Sequence, residues 1–380
     1  MKKFMSILLI LTLVIGMSLG MTACGNDDGG DSNSSGEPEL TVGFIYIGSK
    51  NDGGYTQAQH KGTAAMEKHF GNRVKVLTEE NTPEDQQSVI SAAERMIDNG
   101  ATVIFGCSYG FVFGLEEMAN NSEYADIKFL HFSGDKMNDT NFGNYFGATE
   151  EPRYLSGIAA GMATENNKLG YVAAKPLPEV KIGINAFTLG AQSVNENVEV
   201  NVVYTGEWDD PAKETEAAES LLDQGCDVIT QHADSAGPQH AAAKAGKYSI
   251  GYNIDNSGLE GLEDSYLTAP IWHHEVFLIP TIEKIMDGTW TPESYYGTMK
   301  DGYVDIAPLT KNVSDEAKAE IEEVQKQMKD GNFNVFTGPI IDSNDKEQAK
   351  EGEVLDRNNI WGIDGGKLMD YVVKGVNATE

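Results

Sequence analysis

The 380-residue sequence predicts an α/β protein of two lobes, each a parallel sheet flanked by helices, with a ligand cleft between them. Three observations predict it. Short β-branched runs alternate with helix-like segments along the chain. The runs are apolar throughout, as in strands covered on both faces. A helix–strand unit also recurs at a fixed interval, in a chain longer than one compact core usually holds.

The first 23 residues stand apart from this pattern. Lys2 and Lys3 precede an apolar run, Ile7 to Ile15, too short to span a bilayer comfortably. A secretory signal is expected over 1–23, with small residues before Cys24. It resembles a bacterial lipoprotein signal, in which that cysteine becomes the lipidated first residue, although Met21 stands where leucine is usual. A plain signal with an incidental Cys24 is the alternative. Residues 25–38 carry no large apolar side chain. The stretch 24–39 is therefore expected to be a flexible tether, reaching roughly 20 Å. Lipidation would hold the protein on the extracytoplasmic face of the cell membrane.

The formal net charge is −31, and removing residues 1–23 takes away only Lys2 and Lys3, leaving −33. Such a chain is repelled by phosphate backbones and anionic lipid, so nucleic acid is not expected as a partner. Cys107 and Cys226 remain. Read as equivalent points of two different lobes, they are expected to form no disulfide.

From Leu40 the strand candidates are "TVGFIYI", "RVKVLTE", "ATVIFG" and "IKFLHF", then "LGYVAA", "VEVNVVYT", "CDVITQ" and "YSIGYN". Helical stretches such as "PEDQQSVISAAERMIDNG" and "PAKETEAAESLLDQG" separate them. The echo lies in "AERMIDNGATVIFG" (93–106) and "AESLLDQGCDVITQ" (218–231), which are 125 residues apart. Pro83 and Pro211 mark the helix starts, and Gly100 and Gly225 the stops. In "YLTAPIWHHEVFLIPTIEKIMDG" a strand ends near Ala269, and a helix from Ile271 to Gly288 returns to the first lobe. The expected boundaries are 40–150 plus 270–290 for the N-terminal lobe and 151–269 plus 291–380 for the C-terminal lobe. Hinges are expected near Glu150–Pro152 and Ala269–Pro270.

Ligands of open parallel sheets bind at the carboxyl ends of the strands. The loops placed there are Asn51–Tyr55, Cys107–Phe111, Lys175–Phe187 and His232–Gly237, followed by "YNIDNSG" (252–258). Asp52 either caps the next helix or meets a ligand. Gly53 and Gly54 make the turn, and Tyr55 offers a ring. "GCSYG" fits the Gly-x-Ser-x-Gly nucleophile elbow, yet no oxyanion element or Asp–His pair accompanies it. Ser108 is read as a cap or a ligand contact beside Tyr109 and Phe111. His273–His274 and His232/His240 lack metal-ligand spacing. No phosphate-binding glycine motif is present, so dinucleotide and NTPase chemistry, and with them a cofactor, are not expected.

Taken together, "NDGGYTQAQHKGTAAMEKHF", "PEVKIGINAFTLGAQSVN", "VITQHADSAG", "IGYNIDNSG" and "FTGPI" resemble the basic membrane protein family of substrate-binding lipoproteins. The resemblance runs from about Leu40 to Ile341. It implies a periplasmic-binding-protein-like class I fold with three hinge crossings, no catalysis, and an ABC permease as partner. Many members bind purine nucleosides. The matching ligand positions are Asp52, Tyr55, Tyr109, Phe111, Asn185, Phe187, Asp234 and Asp255. Gly54, Ser108 and Trp272 adjoin them. Asp52-Gly-Gly-Tyr55 and Trp272-His273-His274 depart from the nucleoside pattern and favour a free nucleobase such as adenine. A sugar or another small polar solute on the same scaffold is the alternative, and an exported serine hydrolase using Ser108 a further one. The protein is expected to act as a monomer.

Overall fold

The computed structural model describes residues 37–379. The expected signal (1–23), Cys24 and the tether up to residue 36 lie outside them. Two parallel sheets form the frame. The first is built by β1 (Leu40–Tyr46), α1 (Tyr55–Phe70), β2 (Val74–Glu79), α2 (Gln86–Asp98), β3 (Val103–Cys107), α3 (Val112–Ala119), β4 (Lys128–Phe132) and β5 (Phe142–Gly147). The second follows with α4 (Glu150–Ala163), β6 (Lys168–Ala173), α5 (Pro178–Val194), β7 (Glu199–Tyr204), α6 (Pro211–Asp223), β8 (Val228–His232), α7 (Gly237–Lys244) and β9 (Tyr248–Ser249). The remainder comprises β10 (Pro270–Trp272), α8 (Glu275–Met286), β11 (Ser294–Gly297), β12 (Val304–Ile306) and α9 (Asp315–Lys329). Last come β13 (Ile340–Ile341), β14 (Glu347–Ala349), α10 (Arg357–Trp361) and β15 (Val376–Thr379).

The sheet orders are β11-β5-β4-β3-β1-β2 and β15-β7-β6-β8-β9. The inner arrangement β2-β1-β3-β4 is thus repeated as β7-β6-β8-β9. β3, β5 and β8 are buried along their whole length, because helices cover both faces. The repeated unit begins with matched caps. Asp85 accepts from the Ser88 amide and Asp210 from the Lys213 amide, closing the free N–H groups of α2 and α6. It ends with Gly100 and Gly225, at φ of 93° and 91°. Pro211 is the first residue of its helix, but Pro83 lies three residues ahead of α2, where Asp85 sets the start instead.

Several boundaries differ from the sequence reading. "FGNYFG" forms β5, a strand the β-branched pattern did not mark. "YSIGYN" contributes only the two residues of β9 to the ladder. Residues 270–272 are a strand rather than a helix start, paired antiparallel to β12. Ser294–Gly297, placed with the C-terminal lobe, instead pairs in parallel with β5 of the first sheet. The third crossing therefore falls after Gly297. There the crossings bond to each other, the Ala148 amide to the Gly297 carbonyl and the Ala307 amide to the Ala269 carbonyl. Cys107 and Cys226 are free, buried thiols in different lobes. Their positions are not equivalent, since one ends β3 and the other precedes β8.

The returning helix α8 seats on the first sheet by stacking Phe277 on Tyr145 at 4.5 Å, behind the Phe44–Phe105 stack at 4.8 Å. In the second lobe, α4 and α5 cross backbone to backbone. A Cβ on Gly157 would sit 2.1 Å from the Phe187 carbonyl oxygen, and one on Gly190 2.0 Å from that of Tyr154.

The stretch "KPLPEVKIGINAF", read as a cleft loop, is mostly the start of α5 because Pro178 pre-sets its first turn. Phe187 is consequently core, edge-on to Tyr171. Asn185 is fully buried and pins the C-terminal segment. Its Nδ2 donates to the Tyr371 carbonyl, and its Oδ1 accepts from the Val373 amide. Replacing Asn185 by Ala orphans both backbone groups and is expected to lower stability by about 2 kcal/mol. Urea denaturation measures the loss, and ligand affinity should stay within twofold if Asn185 serves the fold alone.

Candidate functional site

The carboxyl ends of the two sheets face a shared cavity of about 480 Å³, part of it open to solvent. Ile47 and Tyr55 reach it from the exit of β1, Ser108 and Tyr109 from β3, and Ser133 from β4. Glu84 comes from the loop after β2. The opposite lobe supplies Glu179 at the start of α5, Trp208 after β7, His232 and Asp234 at the end of β8, and Tyr252 after β9. Trp272 enters from the hinge strand β10. A wider space of about 940 Å³ adjoins it, sharing Tyr109, Ser133, Glu179 and Trp208 and reaching Arg357 and Trp361.

The lobes are closed on each other. The Ser133 hydroxyl donates to Glu179 Oε2 at 3.1 Å, and Asn256 Nδ2 donates to the Gly53 carbonyl at 3.2 Å. Gly54 lies so near the Asp234 backbone that an added Cβ would sit 2.0 Å from the Asp234 carbonyl oxygen. Two residues at this seam hold left-handed backbone, Ser133 at φ 66° and Asn253 at φ 69°. Such conformations persist where their surroundings over-determine them, as in ligand clamps. Asn253 joins two parts of the wall. Its Oδ1 accepts from Trp272 Nε1 at 3.0 Å, and its Nδ2 donates to Asp234 Oδ1 at 3.4 Å.

The cavity is acidic and has no Lys or Arg on its lining. Burial holds the Asp234 carboxyl well above the usual carboxylate range, reinforced by the charges of Asp52, Glu214, Asp209 and Glu179. Burial likewise pushes Glu179 from 4.5 to about 7, against the hydrogen bond from Ser133. His232 is driven well below its ordinary value, first by burial and then by the Arg153 guanidinium, so its ring is neutral. Glu84 is the best satisfied of the acids, accepting from Ser108 Oγ at 2.6 Å and the Gly110 amide at 3.0 Å. Ser108 is thus oriented by a carboxylate. Among the described residues no group of three or more His, Cys, Asp or Glu side chains is placed to hold a metal ion, and no helix is long and apolar enough to cross a membrane.

Of the residues singled out in the sequence, Tyr55, Ser108, Tyr109, Asp234 and Trp272 line the cavity, and Gly54 forms the seam beside it. Tyr109 is half exposed, and Tyr55 packs edge-on to Phe132. The others do different work. Both oxygens of Asp52 are taken up by the amides of Gly54, Thr56 and Gln57, at 2.7–3.0 Å, which caps α1. Phe111 is fully buried in the core beneath α3. Asn185 and Phe187 face the interior of the second lobe. Asp255 is exposed and accepts from the Ser257 amide two residues on. Sequence reasoning missed Ile47, Glu84, Ser133 and Trp208 as wall residues, and it placed Glu179, His232 and Tyr252 in cleft segments without singling them out.

Comparison with known proteins places this geometry. The family model described as ABC transporter substrate-binding protein PnrA-like matches residues 39–333, so the chain belongs to that family. A purine-binding protein of Brucella abortus is 35% identical over 90% of this chain and 94% of its own length. A Haloferax volcanii protein, provisionally named an ABC transporter glucose-binding protein, is 34% identical over 84% of this chain and 79% of its own. The solved structure of an ABC transporter solute-binding protein from Conexibacter woesei superposes with a TM-score of 0.65 at 19% identity, covering 78% of this chain and 98% of that one. The fold is that of the periplasmic-binding-protein-like solute-binding proteins.

Two outcomes follow from the closed, acidic cavity. Gly54→Ala should weaken ligand binding at least tenfold while leaving the unfolding midpoint of the ligand-free protein within a few degrees, because the added methyl blocks only closure. Unchanged affinity in calorimetry would show that the seam does not close on ligand. The Glu179 carboxyl is four-fifths buried and has a raised pKa in the fold. The folded state therefore holds its proton more tightly than the unfolded chain. That contribution is complete below about pH 4.5 and lost as pH rises through 7. Glu179→Gln should accordingly stabilise the ligand-free protein at pH 8 by up to about 3 kcal/mol and leave it nearly unchanged at pH 4.5. Urea titrations at the two values measure the difference.

Proposed function

We propose that this chain captures a purine, a free nucleobase such as adenine or its nucleoside, and delivers it to the permease of an ABC importer. In this reading it works as a monomer without enzymatic activity, tethered through a lipid on Cys24 at the extracytoplasmic face of the membrane. The observation that carries the ligand class is the cavity wall. Five aromatic rings, those of Tyr55, Tyr109, Trp208, Tyr252 and Trp272, line the cavity with three carboxylates, a neutral His232 and no Lys or Arg. Stacking a base on aromatic faces is worth roughly 1–3 kcal/mol per base and tolerates any flat ring. Selectivity then comes from Glu84, Glu179 and Asp234. A ligand that leaves buried polar groups unpaired is rejected far more strongly than one that merely fits less well. The similarity to the Brucella purine-binding protein supports the same choice.

In the mechanism we infer, the ligand bridges loops of both lobes and so favours the closed form by its differential affinity. The hinge at 148–150, 270–274 and 297–303 carries the motion, and the permease reads the closed surface. A sugar ligand is the second reading, favoured by the Haloferax relative and by the ability of the same rings to stack on pyranose faces. Isothermal titration with adenine, adenosine, guanosine and glucose separates the two. Micromolar or tighter binding of a purine with no heat from glucose is the expected result. Binding of glucose alone would transfer the chain to the second reading.

A further inference from the structure

Beneath the cavity, the second lobe holds a group of buried polar side chains, of which only His232 also belongs to the cavity wall. Arg153 on α4 is fully buried, and none of its three side-chain nitrogens has a hydrogen-bond partner. The guanidinium covers the ring of Tyr252, 3.7 Å from its centroid, and lies 5.4 Å from that of Tyr171. The rings offset part of the buried charge, and no side-chain nitrogen of Arg153 is within hydrogen-bonding geometry of an acceptor. Three further buried polar atoms lack partners as well: Tyr171 Oη, Thr230 Oγ1 and His232 Nδ1. The topology brings them together. Tyr171 and Thr230 are opposite each other in the β6–β8 ladder, and His232, two residues on, shares their face. Gly183 lets α5 approach this group closely. A Cβ there would lie 3.2 Å from both His232 Nδ1 and Tyr171 Oη and 3.6 Å from Arg153 Nε.

The chemistry of this cluster is one-sided. His232 Nε2 lies 3.3 Å from Tyr252 Oη. Where it accepts that hydroxyl proton, Nδ1 carries the ring proton and turns a donor inward. The two hydroxyls and the guanidinium edge complete a set of donors around a single positive charge. Among the described residues no carboxylate lies within ion-pair distance of Arg153; Glu179 reaches only His232 Nε2, at 3.9 Å from the cavity side, and accepts from Ser133. A buried charge without a partner is strongly unfavourable. Water would satisfy the donors and leave the charge uncompensated, whereas a small anion does both.

We propose that Arg153, Tyr171, Thr230 and His232 enclose a buried site for a small monovalent inorganic anion of the halide class, beneath Tyr252 and separate from the ligand cavity. Bromide is the probe. Crystals of the protein soaked in sodium bromide should give an anomalous peak within hydrogen-bonding distance of Arg153, on the side of Tyr171 and Thr230. Thermal unfolding should begin several degrees higher in sodium chloride or bromide than in sodium gluconate at equal ionic strength. That gap should vanish in Arg153→Met. A pocket filled only by water in the bromide crystal overturns the proposal, and so does a halide dependence that survives Arg153→Met. The diffraction experiment needs no variant and stands even if Arg153→Met fails to fold. Neither arm depends on which solute the cavity takes.

Discussion

Three carboxylates converging on one cavity, with no Lys or Arg on its lining, are the constraint from which the rest of this site follows. Each ionised carboxylate has room for several hydrogen bonds, and the protein fills them unequally. Glu84 is bonded by Ser108 and the Gly110 amide, Glu179 by Ser133, and Asp234 only by Asn253 at 3.4 Å. The unfilled capacity therefore lies on the second-lobe side, and a ligand must bring N–H or O–H groups to it. A phosphorylated ligand would add like charge to an acidic wall and be repelled. Burial raises the pKa of Glu179 and of Asp234, so each holds its proton more tightly in the fold than in the unfolded chain. The cores of the two lobes tolerate that burial, as functional sites commonly require.

The repeated architecture makes such a wall from ordinary parts. Matching strand orders bring matching carboxyl ends face to face, so that every strand exit in either sheet is a potential wall residue. The backbone of Gly54 against Asp234 then sets how near the two lobes can come. Rings from both lobes and the hinge surround the space, with Tyr55 and Tyr109 from the first, Trp208 and Tyr252 from the second, and Trp272 from the crossing.

The frame was legible in the sequence because apolar runs and a 125-residue echo are strong signals, and the first-lobe exits Tyr55, Ser108 and Tyr109 fell where strand ends predict. The failures have separate physical causes. Asp52 was open to two uses, and the free amides of α1 took it. Phe111 follows Tyr109 by two residues, and a short helical turn rotates it into the core. Asn185 and Phe187 were lost by reading through the helix start at Pro178, even though proline in that position is itself a start signal. Asp255 turned its own loop. Glu84, Ser133 and Trp208 escaped because the strand-exit rule was applied to some strands and not to all. "TEENTPE", "HFSG" and "YTGEW" are exits of the same kind. Tyr252 sat inside a quoted motif, where the acidic neighbours drew attention from the ring. Arg153 carried no signal, since nothing in a helical sequence tells a buried guanidinium from a solvated one.

The late arrival of β11 and β15 has a consequence for how the chain is made. β11 completes the first sheet some 150 residues after β5, the strand it pairs with, and β15 completes the second some 176 residues after β7. A ribosome emits residues in order, over many seconds for a chain of this length. Throughout that interval β5 and β7 present bare strand edges of the kind that recruit foreign strands. Neither half is a self-sufficient segment, so a nascent chain depends on whatever keeps those edges apart until β11 and β15 emerge.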